Sequence, residues 1–329
     1  MELASSFFLA DLLGTPAWAW LAFIGIVASL LAFDLGVLHK GDQEIGVRES
    51  LLLSAGYIGI ALLFGLWVGW LRGADSGLEY LTGFLIEKSL SMDNVFVIAL
   101  IFGFFAIPRA YQHRVLFWGI LGVIVLRAIM IGLGSALVSE FSWVLYIFGA
   151  FLLLTGLKML FMTEKPIDLA ANPVLRWMRR HMNVSDTLHG NRFWVRLPDP
   201  AKPGRSAWFA TPLLLALVMI ELADLVFAVD SVPAIFAITQ DPFIVYTSNI
   251  FAILGLRALY FALAAMIERF RFLKVALALV LVFIGGKIFL VGLVGKIPPT
   301  VSLTVTFGLL LGGVIYSMIK TRPGTPPLR

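Results

Sequence analysis

The chain has 329 residues, of which 60% are hydrophobic and 14% charged, with a formal net charge of +5. A mean hydropathy of +0.95 excludes a water-soluble globular or disordered chain and indicates an integral membrane protein. The absence of cysteine excludes disulfides, thiolate zinc sites and cysteine-ligated iron–sulfur clusters.

The first residues, MELASSFFLADLLG, carry two acids and no lysine or arginine. They lack the basic start of a secretory signal peptide, so the first apolar run is expected to be a retained helix. Runs long enough to cross roughly 30 Å of hydrocarbon as helices fall at 18–38, 50–71, 78–105, 115–137, 143–162, 209–238, 243–266, 273–294 and 300–319. The expected fold class is therefore all-α, a polytopic membrane protein with about nine transmembrane helices.

With the N-terminus outside, the inside loops collect 18 of the 25 Lys and Arg residues, among them Lys40, Arg48, Arg109, Arg114, eight in 163–206, and Lys320. The outside loops hold only Arg72 and Lys296. The positive-inside rule then predicts an outside N-terminus and a cytoplasmic C-terminus. Topology thus explains the basic balance, and no nucleic-acid partner is expected.

The loop 163–206 contains NPVLRWMRRHM, which reads as a short basic helix at the inner membrane surface, and NRFWVRLPDP, a candidate strand ending at prolines. It is either a positively charged anchor of topology or a module on which a partner docks.

An internal repeat links the two halves. DNVF at 93–96 resembles DLVF at 224–227, LRA at 126–128 matches LRA at 256–258, and GLKML at 156–160 resembles GKIFL at 286–290. The three matches share an offset of about 130 residues, and a unit of three spans starts the second copy on the opposite side of the membrane. The expected organisation is an inverted repeat of three-helix units: an N-terminal segment with two spans (1–77), a first repeat (78–162), the loop (163–206), a second repeat (207–294), and a last span with a cytoplasmic tail (295–329).

Six acids fall inside the expected spans: Asp34, Glu87, Asp93, Glu221, Asp224 and Asp230. A charge at the bilayer centre costs roughly 2.5 to 3.5 kcal/mol on insertion scales, so these acids need partners or a wet cavity. One reading is that Lys88, Arg127, Lys158, Arg257 and Lys287 neutralise them as structural ion pairs. The other is a substrate site, because the acids gather in spans three and six, which the repeat relates.

Both spans are expected to depart from regular helix, the third at Ser89, Ser91 and Asn94, the sixth at Pro233, which would free the carbonyl of Val229 beside Asp230. Helical spacing puts Glu87, Ser91 and Asn94 on one face and Glu221, Asp224 and Ser231 on another. Asp93 and Asp230 fall off those faces. Asp34 is either an extra ligand or a headgroup contact.

The donors are carboxylate, amide, hydroxyl and carbonyl oxygens, while all four histidines sit in inside loops or at a span edge. Oxygen sites suit hard divalent ions such as magnesium, calcium and manganese. Met92 and Met219 are either thioether donors or span filler. The same carboxylates could carry protons, which would couple metal movement to a proton gradient. Lys88 is left as a candidate internal counter-charge.

The stretches FLIEKSLSMDNVFV, RVLFWGILGVIVLRAIMI, LYIFGAFLLLTGLKM and ELADLVFAVDSVPAIFAITQDPFIVYTSNIFAILGLRALYFAL resemble the TerC family of bacterial inner-membrane proteins, its Alx-type members most closely. The resemblance runs from about residue 18 to 319. The family is named for tellurium resistance, but its likeness to manganese efflux proteins and LysE-type exporters implies export of manganese(II). It places the acidic motifs, and so the candidate metal ligands, on Glu87, Asp93, Asn94, Glu221, Asp224, Asp230 and Ser231.

The expectation is an exporter rather than an enzyme, with manganese as cargo and no permanently bound cofactor. Its partners would be the divalent ion and the lipid bilayer. The competing expectations are an accessory membrane protein that loads metal into secreted proteins or serves their secretion machinery, and an organic-cation exporter.

Overall fold

A computed structural model describes residues 11–36, 47–161, 168–198, 205–263, 273–295 and 297–320; within these, the side chains of 34–36, 47, 92, 93, 257, 262, 263 and 292–294 are not among the described ones. The expectations for the side chains of Asp34, Met92, Asp93 and Arg257 fall outside that set.

The chain is an all-α polytopic membrane protein, with two small antiparallel hairpins among the described residues. The helices are α1 (Ala17–Gly36), α2 (Val47–Arg72), α3 (Ala74–Phe104), α4 (Arg109–Glu140), α5 (Val144–Phe161), α6 (Pro173–His181), α7 (Pro212–Phe236), α8 (Pro242–Leu254), α9 (Leu256–Leu263), α10 (Leu273–Val294) and α11 (Pro299–Lys320). Strands β1 (Asp11–Leu12) and β2 (Thr15–Pro16) precede α1, and β3 (Trp194–Pro198) pairs with β4 (Ser206–Ala210) just before α7.

Seven stretches among the described residues are both long and apolar enough to cross a membrane: α2, α4, α5, α7, α8 with most of α9, α10 and α11. Helix α1 has 20 residues, and α3 has 31 residues that include Asp75, Glu79, Glu87, Lys88 and Asp93. At 1.5 Å per residue, α3 is about 46 Å long, so length suffices for a span despite its charges. Most of these helices are apolar around their whole circumference rather than along one stripe, as expected when the surrounding solvent is hydrocarbon.

Four helices form the centre: α3 packs on α7 and α8, and α4 packs on α7 and α8. Helices α5 and α10 form a flanking pair, α2 lies against α3 and α9, and α11 lies against α3 and α10. Exchanging α3, α4, α5 with α7, α8–α9, α10 maps the α3–α8 contact onto α7–α4 and returns α3–α7 and α5–α10 to themselves. The α5–α10 pair is close because glycines face backbone: a Cβ at Gly156 would lie 2.7 Å from the carbonyl of Ala278.

The structure corrects where the helices break. Helix α3 runs without interruption through Ser89, Ser91 and Asn94. Ser89 and Ser91 turn their hydroxyls back onto the carbonyls of Leu85 and Glu87, each at 2.7 Å, which keeps them within the helix. Helix α7 also continues through Pro233 to Phe236: the proline withholds one donor from the carbonyl of Val229 without ending the helix.

The break instead occurs in the seventh expected span, at Gly255 between α8 and α9. There Lys88 Nζ donates to the carbonyl of Ala252 at 3.1 Å, and a Cβ on Gly255 would stand 2.7 Å from that nitrogen and 3.3 Å from Cβ of Tyr57. Lys88 thus supplies a positive charge to the carbonyl end of α8, where the helix dipole favours one.

Between α5 and α7, Asn172 caps α6 by accepting from the backbone N–H groups of Val174 and Leu175. Leu169, Leu175 and Met178 pack with Ile98, Phe102, Leu116, Leu213 and Met219, which seats this piece on the adjoining ends of α3, α4 and α7. The sequence predicts one strand here; Ser206–Ala210 is its partner, paired Trp194↔Ala210 to Pro198↔Ser206.

Candidate functional site

Two pairs of residues at helical spacing of seven set the frame. Glu87 and Asn94 stand on the same side of α3, and Asp224 and Ser231 on the same side of α7; all four are buried. Helices α4 and α8 close the space between them with Arg127 and Asn249, whose exposures are 1% and 0%.

Arg127 is the hub. Its Nη1 pairs with Glu87 Oε1 at 2.6 Å and donates to Ser231 Oγ at 2.6 Å and Asn249 Oδ1 at 3.2 Å. Its Nε and Nη2 donate to Asp224 Oδ2 and Oδ1, both at 3.2 Å, in the bidentate arrangement that a planar guanidinium makes with a carboxylate. Two amides complete the ring: Asn94 Nδ2 donates to Asp224 Oδ1 at 3.1 Å, and Asn249 Nδ2 donates to Glu87 Oε2 at 3.2 Å. With both carboxylates ionised, the cluster holds two negative charges against one positive.

Glu221 lies one turn from Asp224 on α7. Its carboxylate fills the notch left by Gly122 of α4, where any Cβ would overlap it. Its Oε2 is buried and has no hydrogen-bond partner, and the same is true of Asn94 Oδ1. Two acceptors beside Asp224 are therefore left without a donor, an arrangement that is costly unless something else uses them.

Of the expected ligands, the structure brings together Glu87, Asn94, Asp224 and Ser231, with Glu221 alongside. Asp230 points elsewhere, towards Thr155 and Lys158 of α5. Asp93 lies outside the described side chains. Among the described residues, no three His, Asp or Glu side chains are grouped so as to enclose a metal ion, since the guanidinium occupies the space between Glu87 and Asp224.

The alternative of internal neutralisation is thus partly realised, by Arg127 at the centre and Lys158 near Asp230. Lys287 is engaged elsewhere, donating to Ser302 Oγ of α11 at 2.9 Å. Sequence reasoning missed Asn249 as a member. The signal that could have found it is the polar run Thr247, Ser248, Asn249 inside an apolar span; the two hydroxyls bond back to α8, and only the amide reaches across.

Comparison with known proteins gives one family match, to the integral membrane protein TerC family over residues 72–324. A membrane protein of Rickettsia bellii, described as uncharacterized, is 49% identical over 92% of this chain and 97% of its own length. An uncharacterized membrane protein of Myxococcus xanthus is 47% identical over 94% of both chains. The protein of Escherichia coli K12 described as "Putative membrane-bound redox modulator Alx" is 48% identical over 91% of this chain and 93% of its own. No solved structure gives a significant match.

Proposed function

The chain belongs to the TerC family of integral membrane proteins, and from that premise we propose that it exports manganese(II) across the bacterial inner membrane, N-terminus outside and C-terminus in the cytoplasm. The observation that carries the reading is the buried ring of oxygen donors from four helices, Glu87, Asn94, Asp224, Ser231 and Asn249, gathered around a positive charge. A site that already holds a cation on carboxylate, hydroxyl and amide oxygens has the donor chemistry of a hard divalent ion. Manganese is cargo in this reading, and the protein is a transporter without a resident cofactor.

The four central helices come from the two expected repeats, so a rocking of one unit against the other would open the ring to each side in turn, as in transporters built from inverted repeats. Outward release needs the site to weaken; protonation of its carboxylates from the outer side, or the membrane potential, would supply that bias.

The test is flux of manganese, magnesium and calcium into vesicles containing the purified protein, with and without a pH gradient. Manganese movement that is lost in Glu87→Gln, Asp93→Asn and Asp224→Asn is the expected result. Unchanged flux in these variants at normal protein levels would refute the reading.

A second reading is favoured by the piece between α5 and α7. Its hairpin exposes Trp194, Arg196 and Trp208 on one face, and α6 exposes Trp177. Such a surface suits an accessory role, in which the protein serves metal loading of secreted proteins through a docked partner. Co-purification of a partner that is lost when 163–206 is replaced would favour this reading over transport alone.

A further inference from the structure

The transport reading leaves an arginine in the place a metal ion would take. Five oxygens of the site, Glu87 Oε1, Asp224 Oδ1 and Oδ2, Ser231 Oγ and Asn249 Oδ1, already contact the guanidinium of Arg127 at 2.6 to 3.2 Å. A divalent ion draws its oxygens to roughly 2.0 to 2.6 Å. The guanidinium and the metal cannot both sit among these atoms. Charge gives the same exclusion: the two carboxylates balance a divalent ion alone, but with Arg127 still in place the buried cluster would carry a surplus positive charge in a medium that penalises it.

A displaced guanidinium needs acceptors, and they are present. Glu221 Oε2 and Asn94 Oδ1 are buried and unpartnered, and Glu221 is one turn of α7 from Asp224, about 5 Å along the axis. Glu221 also presses against α4, the helix that bears Arg127, at Gly122.

On the strength of the transport reading, we infer that Arg127 is a tethered competitor of the cargo: it fills the oxygen ring between Glu87 and Asp224 when no metal is bound, and moves one turn along α7 to Glu221 when a divalent ion enters. The return of Arg127 then expels the ion, which spares the empty site from facing hydrocarbon as two bare carboxylates. A monovalent ion would leave one carboxylate charge unbalanced after displacing Arg127, so the exchange also favours divalent cargo. In this scheme Glu221 is a positioning residue for Arg127 rather than a metal ligand.

The experiment is manganese binding to the purified full-length protein in detergent, read by loss of the free manganese(II) paramagnetic resonance signal, in wild type, Arg127→Gln, Arg127→Lys, Glu221→Gln and the Arg127→Gln/Glu221→Gln pair. Arg127→Gln is expected to bind about tenfold more tightly, the factor by which a competitor occupying a site about nine-tenths of the time weakens apparent affinity, while losing transport. Arg127→Lys, which keeps the buried charge but not the fork, is expected to bind more tightly than wild type by a smaller factor, and it carries the test if the glutamine variant does not fold. Glu221→Gln is expected to weaken binding in the wild-type background and to have no effect once Arg127 is glutamine.

Wild-type binding and flux together with unchanged or weaker binding in both Arg127 variants would overturn the competitor role. Weakening by Glu221→Gln in both backgrounds would make Glu221 a ligand and overturn the exchange. Failure of every form to bind or move manganese would overturn the transport reading beneath it.

Discussion

Replacing Asp224 by asparagine is expected to have opposite effects in two backgrounds. In the native cluster Arg127 is shared between Asp224, at two contacts of 3.2 Å, and Glu87, at 2.6 Å. At an effective dielectric of about 20, each charge pair near 4 Å is worth roughly 4 kcal/mol, and the two acids, taken at the roughly 8 Å that two such separations in line would give, repel by roughly 2 kcal/mol. The cluster then holds a net of about 6 kcal/mol in mutual charge interaction.

Asp224→Asn removes one attraction and the repulsion, so it should destabilise the wild type by about 2 kcal/mol. Arg127→Met removes both attractions and leaves the acids facing each other, a loss of roughly 8 kcal/mol before proton uptake relieves part of it. In that background Asp224→Asn removes only the repulsion and should restore up to about 2 kcal/mol. Thermal unfolding in detergent, followed by the emission of the nine tryptophans, measures all four proteins of the cycle. Additive losses, with the double variant less stable than Arg127→Met, would refute the shared-cation account of the cluster.

Gly122→Ala should displace the Glu221 carboxylate and cut manganese flux, whereas Gly119→Ala, whose Cβ would meet its nearest neighbours at 3.8 Å, should leave flux near wild type; vesicle uptake compares them. Gly255→Ala crowds Lys88 Nζ and Tyr57 at the α8–α9 break and should cost about 1 to 3 kcal/mol of overpacking, visible as a lower unfolding midpoint. Asp241 caps α8 through the N–H groups of Phe243 and Ile244 and pairs with Arg72 at 2.5 Å. Asp241→Ala should therefore cost about 1 to 2 kcal/mol for the cap, and Arg72→Ala less than that, because the pair is partly exposed and screened.

Much of the fold follows from the sequence because hydrocarbon imposes a one-dimensional rule: a segment that crosses it must be apolar, helical and of fixed length. That rule is local, so runs such as 50–71 and 300–319 predict α2 and α11 within a few residues. The same rule makes each intramembrane acid conspicuous, and the spacing of seven puts Glu87 with Asn94 and Asp224 with Ser231 before any packing is known.

Where a helix breaks is not local. Pro233 reads as a break but α7 continues through it, while Gly255, one glycine within an apolar run, ends α8 where Lys88 of α3 reaches the carbonyl end. Partner choice is also tertiary. Arg127 and Lys158 are both charges in a span, but only the packing of α4 on α7 and α8 brings Arg127 between Glu87 and Asp224, while α5 offers Lys158 to Asp230. The sequence by itself determined which residues carry charge into the membrane and on which helical face, because the cost of burial and the pitch of the helix are properties of the chain. Which of those charges meet was decided by the tertiary structure, because in a low-dielectric interior the energy of each depends on what another helix places within a few ångströms of it.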